Sequence, residues 1–250
     1  MRADLYLVEK GIAKSRKKAQ DMIDEGLVYA DGVKLTKSSK NIDDAVIEIR
    51  GEVMPYVSRG GLKLKGAIDG FKLKAYGKIC LDIGASTGGF TDCLLQEGAD
   101  KVYAVDCGHG QLDADLAKDV RVVSIEGCNA RDISREIIPE MIDLCVMDVS
   151  FISQTLIHPA LTGVLKDGAE FITLIKPQFE VGKSNIGKNG IVKDEKARSK
   201  AVGNVIESAK ACGFRFIDKI TSPIKGGDGN TEYIGYFRYE GCCNSQQTKG

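Results

Sequence analysis

Residues 80–92 read Cys-Leu-Asp-Ile-Gly-Ala-Ser-Thr-Gly-Gly-Phe-Thr-Asp, and this stretch decides the fold. An apolar run that ends at Asp82 and Gly84 predicts a buried strand, followed by a glycine-rich loop and a helix that starts near Gly89. In open α/β sheets a nucleotide-like ligand binds just beyond the carboxyl end of such a strand. The stretch therefore predicts a ligand-binding loop within a doubly wound sheet.

The spacing of the loop distinguishes between nucleotide ligands. An NAD site uses Gly-x-Gly-x-x-Gly to bring backbone amides against a pyrophosphate, and this loop has a different spacing. Asp82 would repel a pyrophosphate, whereas it suits the ammonium or sulfonium group of S-adenosylmethionine. We therefore expect S-adenosylmethionine as the cofactor, held by Asp82 and by the loop and first helical residues, which are Gly84, Ala85, Ser86, Thr87, Gly88, Gly89 and Phe90.

Polar residues at the ends of the following strands extend this predicted site. Asp106 lies 22 positions after Gly84, close to the spacing at which an acid meets a ribose diol, although it is also a candidate helix N-cap. Asn129 follows the third strand, where it is either an adenine contact or an ordinary turn residue. Asp148 closes the fourth strand, so we expect its carboxylate beside the methyl donor.

The rest of the larger domain alternates strands with helices. This rhythm predicts a Rossmann-like, doubly wound α/β fold whose last strands form an antiparallel edge. The predicted strands are 78–83, 101–106, 120–125, 142–147, 170–175, 214–221 and 233–239, and the predicted helices are 89–96, 111–117, 154–165 and 194–212.

The first fifty residues form a separate small α+β unit. Apolar residues recur at helical spacing from Leu5 to Ile12 and again in 19–23, a hairpin turn is predicted at Asp31-Gly32, and a strand at 42–49. So short a unit can barely bury a core. We expect a linker at 51–58, the larger domain at 59–241 and a flexible polar tail at 242–250.

Composition narrows the class of protein. The 35 basic residues cancel the 35 acidic residues, although segments 59–78 and 183–200 each carry six basic residues, which solvated surface would explain equally well. Eight cysteines without a C-x-x-C pair and only two histidines predict no metal site. Cys80, Cys107 and Cys145 are expected in the core, and Cys242-Cys243 as a free pair. The absence of a long apolar stretch predicts a cytoplasmic protein without a membrane segment.

Three further charged residues stand next to predicted strands and helices. Lys176 directly follows four apolar or hydroxyl residues at 172–175, and Pro177 prevents the strand from continuing. An ammonium at that position is poorly explained as a surface charge. Lys63 opens the helix that precedes the sheet, and Glu232 leads into the final strand.

These motifs resemble those of the TlyA-type ribosomal RNA 2'-O-methyltransferases, and the larger domain is similar to the FtsJ-type methyltransferases. The matching segments are 58–63, 84–92, 148–153, 176–182 and 230–233. The resemblance implies methylation of a cytidine ribose in 16S and 23S ribosomal RNA. It also implies a catalytic Lys-Asp-Lys-Glu tetrad, which falls on Lys63, Asp148, Lys176 and Glu232.

The first fifty residues resemble the RNA-binding domain named after ribosomal protein S-four. The similarity lies in segments 11–19 and 26–28, which match its helix-turn-helix signature. It implies that ribosomal RNA or a ribosomal subunit is the partner. The candidate RNA contacts are Arg2, Lys14, Ser15, Arg16, Lys17 and Lys18, together with Arg59 in the larger domain.

Several alternatives remain open at the level of sequence. Lys176 could be a neutral general base or an ammonium that stabilises a developing alkoxide. The protein could be a non-catalytic assembly factor with a vestigial cofactor pocket. The glycine spacing disfavours an NAD-dependent oxidoreductase, and only the family's historical name, hemolysin, suggests a secreted pore-former. The target nucleotide, the ribosomal subunit and the oligomeric state stay undetermined.

Overall fold

The computed structural model describes residues 1–51, 53–182, 186–187, 190–226 and 229–241. They form two compact units, Met1–Pro55 and Tyr56–Gly250. The expected tail with Cys242-Cys243, and Lys183 and Lys188 of the second basic segment, lie outside the described residues. Tyr56, inside the expected linker, is only 6% exposed and packs in the core of the larger unit.

The smaller unit packs two helices on a three-stranded antiparallel sheet. The helices are α1 (Ala3–Glu9) and α2 (Arg16–Asp24), and the strands β1 (Val28–Ala30), β2 (Val33–Lys34) and β3 (Ile47–Ile49) have the order β2-β1-β3. The hairpin turn has positive φ at both Asp31 and Gly32, as predicted. Strand β3 is shorter than the predicted 42–49 because Asp44, with φ of 45°, leaves the extended conformation.

The larger unit contains a seven-stranded sheet in the order β6-β5-β4-β7-β8-β10-β9. Neighbours among the first five strands in this order pair in parallel, and β10 pairs antiparallel with both β8 and β9. The predicted doubly wound sheet with an antiparallel edge is therefore confirmed. Its strands are β4 (Ile79–Ile83), β5 (Lys101–Val105), β6 (Val122–Ile125), β7 (Ile142–Met147), β8 (Leu165–Ile175), β9 (Phe214–Thr221) and β10 (Tyr233–Tyr239).

Two predicted helices of the larger unit are wrong. In 111–117 the structure has only a 3-10 turn at Leu116–Lys118, since the Asp113 side chain accepts a hydrogen bond from the Asp115 amide and favours a turn. The predicted helix 154–165 is reduced to a 3-10 turn and a four-residue helix at Pro159. The helices are α3 (Gly60–Phe71), α4 (Gly89–Gln96), α5 (His158–Leu161), α6 (Pro177–Glu180) and α7 (Glu195–Ala211), with 3-10 turns at Ala130–Asp132 and Gln154–Leu156.

The cysteine predictions are confirmed in part. Cys80 and Cys145 are fully buried on β4 and β7, where they act as small core residues. Cys107 is exposed, so its assignment to the core is wrong. It lies just beyond the end of β5, where the chain has already turned away from the sheet.

None of the helices in the described ranges has the length and apolar character needed to cross a bilayer.

Candidate functional site

The candidate site is a cleft at the carboxyl edge of the sheet. Strands β4 and β7 are neighbours, but the chain continues from β4 to β5 on one side and from β7 to β8 on the other. Ligands of open α/β sheets bind outside the strand ends at such a reversal. The cleft has a volume of about 330 Å³ and is lined by Ser58, Arg59, Gly60, Lys63, Gly84, Ala85, Ser86, Thr87, Gly89, Phe90, Asp148, Ser150, Lys176, Ile224 and Lys225.

Close backbone packing explains two glycines of the loop 84–89. Gly84 has φ of +81°, and a Cβ there would lie 2.4 Å from the carbonyl oxygen of Asp148. A Cβ at Gly89 would lie 2.2 Å from Ser58 Oγ and 3.0 Å from the amide nitrogen of Gly61. A side chain at Gly84 would push the loop away from the end of β7, and one at Gly89 would push it away from the start of α3, so the glycines set the shape of the cleft.

Asp106 anchors this loop to the end of β5. Its carboxylate accepts hydrogen bonds from the amides of Ser86, at 2.8 Å, and Gly108, at 2.7 Å. Asn129 accepts from the amide of Arg131 at 3.1 Å and caps a 3-10 turn, which agrees with its interpretation as a turn residue. Neither residue lines the cleft, and their contacts with ribose and adenine stay predictions.

Asp82 lies beneath the loop rather than in the cleft. Its side chain is fully buried and accepts a hydrogen bond from Thr91 Oγ1 at 2.7 Å, while Oδ1 has no hydrogen-bond partner among the described residues. Burial raises the pKa of Asp82 to about 7, and the nearby carboxylates of Asp148 and Asp106 act in the same direction. Direct contact between Asp82 and a cofactor stays a prediction.

Replacing Asp82 with asparagine is expected to weaken the pH dependence of stability. Because the pKa of Asp82 is about 7 in the folded chain, the unfolded chain releases this proton at a lower pH than the folded chain does. The free energy of unfolding of the parent therefore falls as the pH rises from about 4 to about 7. In urea unfolding, the parent should lose about 2 kcal/mol more than Asp82→Asn between about pH 5 and about pH 8. Equal losses of unfolding free energy in the parent and in Asp82→Asn would contradict the raised pKa of Asp82.

The four predicted catalytic residues form two ion pairs at the same edge of the sheet. Lys176 Nζ lies 2.6 Å from Asp148 Oδ1, and Lys63 Nζ lies 2.6 Å from Glu232 Oε2. The Lys176 side chain is 11% exposed, and that of Glu232 is 3% exposed. Lys63, Asp148 and Lys176 line the cleft, whereas Glu232 is buried behind Lys63.

Strand register explains why distant parts of the chain meet here. Asp148 and Lys176 directly follow the neighbouring parallel strands β7 and β8, so both lie at the carboxyl edge. Strand β10 runs antiparallel to β8 with Tyr233 opposite Ile175, which brings Glu232 to the same edge. Helix α3 contributes Lys63, 169 positions before its partner.

Five residues that line the cleft were not predicted as site residues, and three of them, Ser58, Ser150 and Lys225, have polar side chains. Ser150 accepts a hydrogen bond from Lys176 Nζ at 2.8 Å. Ser58 lies against the glycine loop, and Lys225 is an exposed cation on the segment that leads to β10. Ser58 and Ser150 lie inside the motif segments 58–63 and 148–153, and this location is the sequence feature that could have identified them as site residues. In the described part of the chain no cluster of three His, Cys, Asp or Glu side chains could hold a metal ion.

In the smaller unit, a buried carboxylate organises the candidate RNA contacts. Asp4 is fully buried and accepts hydrogen bonds from Arg2 at 3.0 Å, from Gln20 at 2.9 Å and from Arg16 at 3.2 Å. The hydrogen bonds from Arg2 and Gln20 hold the pKa of Asp4 well below its usual range. Arg2 and Arg16 remain 42% and 55% exposed, so each guanidinium also faces solvent.

The other candidate contacts of the smaller unit differ in how free they are. Ser15 caps α2 by accepting a hydrogen bond from the Lys18 amide, and Lys18 Nζ donates to the carbonyl of Met54. Lys17 pairs with Asp21 at 2.6 Å, and Lys14 is exposed. RNA contact by any of these residues stays a prediction. Arg59 belongs to the larger unit, where it is exposed at the cleft.

The sheet order and the glycine loop at the reversal point place the chain in the class of doubly wound α/β proteins that bind a ligand at the carboxyl edge of the sheet. The FtsJ-like methyltransferase family model matches residues 56–239, and the S4 domain model matches residues 1–45. The chain therefore belongs to the FtsJ-like methyltransferase family and carries an S4 domain at its amino end.

Similar proteins cover both units of the chain. "Hemolysin A" of Brachyspira hyodysenteriae is 48% identical over 239 residues, which are 95% of this chain and 99% of the relative. "16S/23S rRNA (cytidine-2'-O)-methyltransferase TlyA" of Mycobacterium tuberculosis is 41% identical over 239 residues, which are 95% of this chain and 89% of the relative. The solved structure titled "Putative hemolysin from Streptococcus thermophilus" is 41% identical with a TM-score of 0.75, and the match covers 96% of this chain and 88% of that one. The predicted family resemblance is confirmed.

Proposed function

We propose that this protein is an S-adenosylmethionine-dependent methyltransferase that modifies the 2'-oxygen of a cytidine in ribosomal RNA. The observation that carries the proposal is the Lys176–Asp148 pair, which borders the same cleft as the glycine loop 84–89. Family membership and the activity named for the Mycobacterium tuberculosis relative support the same reaction. An NAD-dependent oxidoreductase would need a different loop spacing.

The residues of the cleft fit S-adenosylmethionine. The two glycines at which a Cβ would collide with backbone or side-chain atoms leave an open pocket of about 330 Å³ at the strand reversal. The loop 84–89 and Phe90 would hold the cofactor, with Asp106 and Asn129 on the adenosine side. When bound, S-adenosylmethionine supplies an electrophilic methyl group.

Lys176 would act on the ribose hydroxyl, which is a weak nucleophile. A carboxylate oxygen of Asp148 lies 2.6 Å from Lys176 Nζ, a distance at which a carboxylate and an ammonium group form an ion pair. We therefore favour the charged role, in which Lys176 donates a hydrogen bond to the 2'-oxygen and stabilises the charge that develops there. The hydroxyl proton passes to water as the oxygen attacks, so the charge that develops on the oxygen is negative. The remaining requirement is alignment of the oxygen at near-attack distance.

The second ion pair would support the first. Glu232 is almost fully buried, and a buried carboxylate needs a charged partner, which Lys63 supplies. Lys63 also lines the cleft, so its positive charge faces the space in which the RNA backbone would lie. Arg59 and Lys225 add two exposed cations at the same cleft, suited to phosphate oxygens.

An exposed aromatic ring close to Lys176 offers a stacking surface for a nucleobase. Phe151 is 91% exposed, and its ring centroid lies 5.0 Å from that of Phe179. The Phe179 ring in turn lies 5.9 Å from Lys176 Nζ. Proteins that read unpaired RNA stack its bases on exposed aromatic side chains. A base placed on Phe151 would carry its ribose toward Lys176.

The smaller unit would bind the RNA. Its S4 domain match, together with the exposed guanidinium groups of Arg2 and Arg16, fits recognition of a phosphate backbone. Because ribosomal subunits would be the substrate, the proposed place of action is the cytoplasm.

Incubating the protein with purified ribosomal subunits and methyl-labelled S-adenosylmethionine tests the proposed function. We expect label in ribosomal RNA, resistant to alkaline cleavage at one cytidine because the 2'-oxygen is blocked. A protein that binds S-adenosylmethionine but transfers no methyl group to either subunit would contradict the proposal. That result would favour the non-catalytic assembly factor.

A further inference from the structure

Ser150 contacts the catalytic lysine but has no part in the four-residue tetrad. Its Oγ accepts a hydrogen bond from Lys176 Nζ at 2.8 Å, and the residue is exposed at the cleft. Ser150 follows Asp148 by two positions, so one short segment supplies both oxygen partners of the same ammonium group.

Of the two contacts that Lys176 Nζ makes with Asp148 and Ser150, only the one with Ser150 has the angles of a hydrogen bond. Asp148 Oδ1 lies 2.6 Å from Nζ, yet within the described chain this oxygen has no partner with hydrogen-bond angles. The carboxylate therefore attracts the ammonium without fixing its rotation. Ser150 Oγ meets both the distance and the angle of a hydrogen bond. It is the contact that orients the N–H groups.

We infer that Ser150 is a positioning residue that fixes the rotation of the Lys176 ammonium, so that one N–H faces the 2'-oxygen of the substrate. This inference rests on the proposed function. An ammonium carries three equivalent donors about the Cε–Nζ bond, and one directional acceptor sets the direction of the other two. Preorganised donors stabilise a developing charge without reorganising during the reaction.

Contacts other than the one to Lys176 Nζ also hold the segment that carries Ser150. Phe151 has φ of 64°, a left-handed conformation that non-glycine residues adopt only when their surroundings impose it. Glu180 of α6 accepts hydrogen bonds from Ser153 Oγ at 2.6 Å and from the Gln154 amide at 3.0 Å. Helix α6 directly follows Lys176, so Glu180 ties the serine's segment to that of the lysine. The hydroxyl is thus placed before any substrate binds.

An isosteric pair of variants tests the inference. Threonine keeps a hydroxyl at position 150, and valine has the same shape without it. We expect Ser150→Thr to keep kcat within about 3-fold of the parent, and Ser150→Val to lower kcat by about 10-fold or more. The dissociation constant for S-adenosylmethionine and the KM for the ribosomal subunit should stay within about 2-fold. Ser124→Val, at an exposed serine on β6, serves as the control and should leave kcat unchanged.

Two outcomes of this comparison would overturn the inference. Equal losses in Ser150→Thr and Ser150→Val would indicate a role of shape rather than of the hydroxyl. A loss confined to KM for the subunit would indicate a contact with RNA. A double-mutant cycle adds a third test, since Ser150→Val should cost nothing further in a Lys176→Met background. A full additional 10-fold loss there would mean that Ser150 acts without Lys176.

A measurement without turnover separates this inference from the proposed function. The ¹⁵N relaxation of the Lys176 ammonium group reports its rotation in the intact protein with no substrate present. We expect restricted rotation in the parent and in Ser150→Thr, and faster rotation in Ser150→Val. Restricted rotation in Ser150→Val would overturn the positioning role even if the protein methylates RNA. Absence of methyl transfer by the parent would overturn the proposed function alone.

Discussion

Replacing Lys176 with alanine should lower the rate of methyl transfer by about 10²- to 10⁴-fold, the range expected for a group that acts on the proton or charge of the reacting oxygen. The substitution removes the donor proposed to face the 2'-oxygen and leaves the Asp148 carboxylate without its partner at 2.6 Å. The rate under saturating RNA and S-adenosylmethionine gives kcat, and calorimetry gives the dissociation constant for S-adenosylmethionine. We expect kcat to fall while that dissociation constant stays nearly unchanged.

A matched control lies at the other end of the same strand. Lys166 of β8 also pairs with a carboxylate at 2.6 Å, that of Asp143, but it lies far along the strand from the cleft. Lys166→Ala removes a lysine from an equally close ion pair. We expect it to leave kcat within about 2-fold of the parent, because Lys166 does not line the cleft and the loss of an exposed ion pair costs little stability. Parental turnover by Lys176→Ala, or equal losses in the two variants, would refute the assignment of Lys176.

Removing the smaller unit should abolish methylation of ribosomal RNA while leaving binding of the methyl donor intact. A chain that begins at Tyr56 keeps the seven-stranded sheet and every residue that lines the cleft. It loses the S4 domain with its exposed arginines, which would bind phosphates. We expect kcat/KM for a ribosomal subunit to fall by at least about 100-fold, since the loss of several phosphate contacts is worth that much in affinity.

The salt dependence of the reaction provides the control for this truncation. In the parent, kcat/KM should fall steeply as the salt concentration rises, because the lysine and arginine side chains that bind RNA phosphates displace counterions from the RNA. The truncated chain should show a shallower slope, with an unchanged dissociation constant for S-adenosylmethionine. Parental kcat/KM in the truncated chain would exclude the S4 domain from recognition of the target.

Much of the sheet could be predicted from the sequence because its strands are apolar runs bounded by polar residues. Strands 142–147, 214–221 and 233–239 match the structure at both ends. The predicted helix 111–117 did not form because the Asp113 side chain accepts a hydrogen bond from the Asp115 amide, which competes with helical bonding. The predicted helix 154–165 is interrupted because Pro159 has no amide hydrogen to donate within a helix. Such local competition is invisible to hydrophobic periodicity.

The candidate site was predictable to the extent that strand ends converge at one edge of a sheet. This rule brought Asp148 and Lys176 together, and the family resemblance added Lys63 and Glu232. The direction of each side chain could not be predicted. Asp82 and Asp106 were both predicted to contact the cofactor, yet the first is buried below the loop and the second accepts hydrogen bonds from backbone amides, including that of Ser86 in the loop. The hydrogen bond from Lys176 to Ser150 is made by a segment whose next residue, Phe151, has a left-handed backbone, and no spacing rule indicates either feature.

The position of β10 has a consequence for synthesis of the protein. Among the described residues this strand is the last, but it lies between β8 and β9 and brings Glu232 to its partner on the first helix of the larger unit. While translation is under way, Lys63 has already left the ribosome and Glu232 has not. The proposed catalytic centre can therefore assemble only after Glu232 has been translated, so a nascent chain that stops before this residue has the glycine loop 84–89 but lacks the Lys63–Glu232 pair.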